Sequence, residues 1–79
     1  MTTDMQNEPV KKFRIGAVTA TIWKNEVEGR SFYNTSIARS YRDKETEEWK
    51  ETSSYGHDDL LNVAQVAERA EAFIAKLQS

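Results

Sequence analysis

Apolar residues recur in this chain with a period of about two up to Gly56 and with a period of about 3.6 after it, so strands precede a helix. From Lys12 to Lys24, Val18, Ala20 and Ile22 alternate with Thr19, Thr21 and Trp23, which predicts a first strand in which Gly16 marks a bulge or bend. Asn25 to Gly29 reads as a turn whose Asn and Gly tolerate positive φ. A second strand is predicted from Arg30 to Tyr41. The charged, unpatterned run Arg42 to Glu47 reads as a hairpin loop, and Glu48 to Ser54 as a third strand.

Past Gly56 the spacing of Leu60, Val63, Ala67, Ala70, Ile74 and Leu77 draws one apolar stripe along a helix from about Asp58 to Leu77. Val66 and Phe73 widen it, and Gln65, Glu68, Arg69, Glu71 and Lys76 take the wet side. Asp58 and Asp59 stand where a helix dipole and orphan N–H groups favour negative charge, so they read as capping groups. The expected fold is α+β: a three-stranded antiparallel meander followed by one long amphipathic helix packed on the sheet.

Strand register follows from making apolar residues coincide. Aligning Ile22 with Tyr33, Val18 with Ile37 and Tyr41 with Trp49 gathers Val18, Ala20, Ile22, Tyr33, Ile37, Tyr41 and Trp49 on the face that suits the helix. The reverse face then carries Thr19, Thr21, Trp23, Phe32, Asn34, Ser36, Ala38, Lys50 and Thr52, with Arg42 and Phe13 near one end. Arg39 faces Glu51 in this register, which offers a structural ion pair in place of a ligand contact. A slip of one residue exchanges the two faces of a strand.

Length changes the picture next. The first ten of 79 residues carry too little apolar pattern to join a core and read as a disordered tail, leaving 11–79 as one small domain. A domain of that size buries only about 60% of its unfolded surface. With no cysteine for a disulfide and no zinc cluster, self-association is the natural supplement, and the stripe Leu60, Val63, Ala67, Ala70, Ile74 and Leu77 serves helix packing or a dimer. No apolar run has the length of a membrane span or signal-peptide core, so a soluble, cytoplasmic protein is expected.

Net charge is −2, but it is unevenly spread. Residues 11–50 hold nine Lys/Arg against six acids, whereas 51–79 hold two against five. A basic half followed by an acidic half can set opposite potentials on opposite sides of one domain. An enzyme is not expected: there is one histidine, His57, beside the helix start, and no nucleophile motif or phosphate-cradling glycine loop. Glu45, Glu47 and Glu48 read as a solvated loop, and no metal or cofactor is expected. Trp49, Tyr33 and Tyr41 read as core or core edge, whereas Trp23 and Phe32 read as surface that meets a partner.

The run Arg14-Ile15-Gly16, Ala20 to Glu26, Phe32 to Thr35, Arg39 to Asp43, Trp49 to Thr52 and Asp59-Leu60 resembles a family of short uncharacterised bacterial proteins. That resemblance covers about residues 12 to 76 and implies a small sheet-plus-helix domain. More loosely, the strand order, the aromatic-Arg-Tyr strand, the Asp-containing hairpin and the C-terminal helix resemble the transcriptional positive-cofactor fold that binds single-stranded DNA. The second resemblance implies a homodimer whose sheets meet the separated strand, with Arg14, Lys24, Arg30, Arg42 and Lys50 as phosphate contacts. It implies Trp23, Phe32 and Trp49 as stacking surfaces. The chain departs from that fold just before the helix, where a Lys/Gly-rich strand is replaced by Trp49 to Gly56.

The expected function is therefore nucleic-acid binding through a basic and aromatic sheet face, with single strands preferred. The rival is a non-catalytic homodimeric interaction module that uses the helix stripe or free strand edges.

Overall fold

The computed structural model describes residues 9–78. It is an antiparallel meander of four strands, β1 (Pro9–Ile15), β2 (Val18–Val27), β3 (Arg30–Arg42) and β4 (Trp49–Thr52), in spatial order β1-β2-β3-β4. A 3-10 turn, His57–Asp59, leads into one helix, α1 (Leu60–Gln78). The α+β class and the C-terminal helix agree with the expectation, and the strand count differs by one.

The extra strand arises from Gly16. Its φ of +61° is open to glycine and costly for other residues, and together with Ala17 it forms a two-residue hairpin turn closed by Ile15 opposite Val18. The run expected as one bent strand is therefore two. Pro9 and Val10, assigned to the tail by pattern, belong to β1, and Pro9 pairs with Trp23. The remainder of the expected tail, residues 1–8, lies outside the described residues. At the next turn Asn25, Glu26 and Val27 stay in β2, and only Glu28 (φ +52°) and Gly29 (φ +78°) turn the chain.

The core lies between α1 and one face of β1–β3. Among the described residues Val18, Ala20, Ile22, Val66 and Ala70 are buried, with Phe13, Ile15, Tyr33, Ile37, Val63, Phe73 and Ile74 packed around them. Only three of the buried five are larger than alanine. At about 1.5–3 kcal/mol for each fully buried aliphatic side chain, this core is small against the conformational entropy of some seventy residues. The buried line of α1 runs through Val66 and Ala70 toward Phe73, whose ring meets Phe13 edge-on at 6.0 Å. Leu60 and Leu77, the ends of the expected stripe, are about half exposed.

Polar contacts place the helix. Arg39 Nε lies 3.2 Å from Asp59 Oδ2, and the same carboxylate oxygen accepts the Gly56 N–H at 3.1 Å, so β3 holds the start of the helix directly. Arg39 also donates to the Ser54 carbonyl at 3.4 Å, and the Tyr55 hydroxyl donates to the Ile37 carbonyl. Arg39 is thus a structural ion-pair residue, but with Asp59 as partner; Thr52, not Glu51, stands opposite it.

Gly16 carries a second constraint, since a Cβ built there lies 3.0 Å from the Asn62 side-chain nitrogen, whereas one built on Gly29 meets nothing within 4 Å. Gly16→Ala is expected to lower the unfolding free energy by about 1–3 kcal/mol, and by more than Gly29→Ala. Urea melts of the two variants check this, and equal losses would mean that the Gly16–Asn62 approach has no energetic weight.

Candidate nucleic-acid interface

The helix covers one face of the sheet, and register decides what the other face carries. Ala20 stands opposite Ile37, Ile22 opposite Thr35 and Val18 opposite Arg39, a shift of two residues from the expected pairing. A shift of two preserves the face, so Val18, Ala20, Ile22, Tyr33, Ile37 and Tyr41 do face the helix. In β4 the shift is one residue. Trp49 pairs with Arg42 and Lys50 with Tyr41, so Trp49 and Glu51 join the open face while Lys50 and Thr52 leave it. Phe13, opposite Ala20, also moves to the helix side.

The open face therefore presents Lys12 and Arg14 from β1, and Thr19, Thr21, Trp23, Asn25 and Val27 from β2. From β3 come Arg30, Phe32, Asn34, Ser36, Ala38, Ser40 and Arg42, and from β4 Trp49 and Glu51. Four cations stand against one carboxylate. Trp23 is opposite Asn34, and Phe32 is opposite Asn25, so Trp23 and Phe32 are diagonal neighbours. Trp23 Nε1 donates to Ser36 Oγ at 3.2 Å, which fixes the indole across β3. Phe32 is 47% exposed and Trp49 70% exposed. Ten residues of β3 separate Phe32 from Arg42, so the two aromatic ends lie about 33 Å apart. Small polar side chains floor the space between them.

The cations on this face are held to different degrees. The side chains of Lys12 and Arg30 make no hydrogen bond or ion pair among the described residues. Arg14 donates through Nε to the Gly16 carbonyl at 3.0 Å, and Arg42 is tied to Glu47, through its carbonyl at 3.3 Å and its carboxylate at 3.5 Å. Of the eight positions singled out in sequence, Arg14, Trp23, Arg30, Phe32, Arg42 and Trp49 share the open face. Lys24 and Lys50 do not: Lys24 pairs with Glu26 at 3.5 Å and Lys50 with Asp43 at 2.9 Å, both on the helix side. Lys12 was missed. Its signal was the alternation Lys12-Phe13-Arg14-Ile15, which is legible once β1 is seen as a separate strand.

Among the described residues a second aromatic and cationic cluster lies on the helix side, a pocket of about 370 Å³ lined by Phe13, Arg69, Ala72, Phe73 and Lys76, but its two rings are half-buried and packed edge-on against each other. The groove between α1 and β3, about 300 Å³ and lined by Thr35, Ile37, Ala67, Ala70, Glu71 and Ile74, offers one carboxylate and no hydrogen-bonding cluster. His57 is fully exposed beside Asp58, 4.0 Å away. Among the described residues no group of three potential metal ligands occurs, and no helix is long and apolar enough to cross a membrane. No protein-family model, curated protein or solved structure matches the chain.

The loop from Asp43 to Glu48 fixes the β3–β4 end of the face. Asp43 Oδ1 accepts the N–H groups of Glu45 (2.8 Å) and Thr46 (3.4 Å), and its backbone carbonyl accepts that of Glu47. The Lys50 ammonium, and then the Glu45 and Thr46 N–H groups, hold the Asp43 carboxyl below its ordinary 3.8. A carboxyl with a lowered folded pKa adds stability that is full above the unfolded pKa and is lost as pH falls through the folded one. The stability advantage of the wild type over Asp43→Asn is therefore expected at pH 7 and to shrink as pH falls below 3.8. Denaturant melts of both proteins across that range check it, and a difference independent of pH would assign the loop's order to the backbone alone.

Proposed function

We propose that this chain is a non-enzymatic binding protein that holds single-stranded nucleic acid against the open face of its sheet. The observation that carries the reading is one surface on which Lys12, Arg14, Arg30 and Arg42 surround Trp23, Phe32 and Trp49, with a flat floor of Thr, Ser and Asn between them. Cations there neutralise phosphates and release counterions, and exposed aromatic faces stack on bases, each stack contributing about 1–3 kcal/mol. Stacking needs unpaired bases, so a single strand fits this face and a duplex, whose bases are already stacked, does not. Sequence preference would be weak, because every base has a π-face.

The charge distribution supports the same reading. On α1 the exposed Glu68 and Glu71 are balanced by the exposed Arg69 and Lys76, whereas the open face carries four cations against one carboxylate. A polyanion would be steered to the sheet face, where the positive excess lies. Acidic overall charge is then no obstacle, since the face and not the whole chain meets the ligand.

The register turns two expected contacts into controls. In fluorescence anisotropy with a labelled single-stranded oligonucleotide, Arg30→Glu and Trp23→Ala are each expected to weaken binding by about ten-fold or more. Lys24→Glu and Lys50→Glu are expected to leave it within about two-fold, apart from weak long-range charge effects. With four cations on the face, the slope of log K against log salt should be no steeper than about −3. Equal losses from both pairs of variants, or binding that ignores salt, would contradict the open-face assignment.

A further inference from the structure

We infer that two copies of this protein join edge to edge, pairing their β3 strands antiparallel over Ser31, Tyr33 and Thr35 about a two-fold axis that passes between the two Tyr33 residues. The inference stands on backbone accounting and does not depend on the nucleic-acid reading. In the β2–β3 hairpin the two-residue turn Glu28-Gly29 makes Val27–Arg30 a hydrogen-bonded pair, so the even residues of β3 bond to β2. The Ser40 N–H reaching the Ala17 carbonyl at 2.9 Å has the same parity. The odd residues point their N–H and C=O groups outward. Near the C-terminal end those groups are used: Arg39 and Tyr41 pair with Thr52 and Lys50, and the Ile37 carbonyl accepts the Tyr55 hydroxyl. β4 is four residues long and stops there. Among the described residues no strand pairs with Ser31, Tyr33 or Thr35 on this side, which leaves six backbone groups on an open edge.

The two edges of the sheet are treated differently. β1, the other edge, carries Pro9, Lys11, Lys12 and a register irregularity between Pro9 and Lys11, all features that discourage a further strand. From Ser31 to Ser36 the β3 edge has no Pro, no charge and no bulge. A second copy is the partner that fits it. With Tyr33 opposite Tyr33 of the other copy, Ser31 stands opposite Thr35, and all six free groups of each copy close into six interstrand hydrogen bonds. The cross-strand neighbours are then Ser with Thr, Phe32 with Asn34, and Arg30 with Ser36, so no like charges meet. The small core of each copy gives such a pairing a thermodynamic role, since it extends the sheet and orders its least supported segment. The open faces of the two copies become one eight-stranded surface.

Analytical ultracentrifugation of the full chain without nucleic acid tests the pairing. Wild-type protein is expected to sediment as a dimer that dissociates on dilution. Thr35→Pro removes only the outward N–H of an exposed edge position and is expected to raise the dimer dissociation constant by at least about ten-fold while circular dichroism stays unchanged. A wild type that is monomeric up to high micromolar concentration, or a folded Thr35→Pro protein that dimerises normally, overturns the inference. Should Thr35→Pro not fold, a nitroxide on Asn34→Cys decides, because the chain has no other cysteine. The two labelled backbones would lie about 7–8 Å apart across the edge, giving strong dipolar broadening. A dimeric sample without broadening overturns the inference.

Discussion

Among the described residues one 19-residue helix is the only layer available to cover a four-stranded sheet, and it can cover only one face. Everything else in the structure follows from how that single contact is placed. A strand in such a sheet must alternate apolar and polar residues, and β2 does so from Val18 to Ile22, with Trp23 as the first apolar side chain sent to the far face. The side chains sent to the far face have no core to join, so their chemistry is set by solvent or by a ligand. A face meant only for water would be expected to carry Lys, Glu and Thr in mixture. This one carries two Trp, a Phe and four cations, with one acid.

The helix is held by a polar clasp as well as by its apolar stripe. With so few residues fully buried, the alignment of α1 on the sheet depends on Arg39 reaching Asp59 and the Ser54 carbonyl, on Tyr55 reaching Ile37, and on Asn62 seating over Gly16. These contacts all cluster where the β1–β2 turn, β3 and the helix start converge. The opposite end, the β2–β3 hairpin, has no polar tie to the helix among the described residues and bears the aromatic pair Trp23 and Phe32. The polar ties are thus concentrated at one end of the sheet, the end that carries Trp49, while Trp23 and Phe32 lie at the other.

Much of this was legible in the sequence. The change of period from two to 3.6 located the strands and the helix, and alternation put Val18, Ala20, Ile22, Tyr33 and Ile37 toward the helix even though the pairing was misjudged by two residues. Three features were not legible, each for a physical reason. Gly16 was read as a bend because the alternation continues on both sides of it, and a two-residue turn costs no break in pattern. The bulk of Trp49 points to the core, whereas a loop of Asp43 to Glu48 held by the Asp43 carboxylate sets β4 one residue out of that register. Lys24 and Lys50 could not be told from Arg14 and Arg42 by charge alone; only the parity of each strand separates them.

The most direct measurement is nuclear magnetic resonance of the two indole N–H signals while a single-stranded oligonucleotide is added. The chain has two tryptophans, Trp23 and Trp49, and both lie on the open face at opposite ends of it. Both signals are expected to shift together and to return as salt is raised, with the amides along the outer side of α1 unmoved. Indole signals that stay fixed at saturating oligonucleotide, or shifts confined to the helix, would contradict the open face as the binding surface.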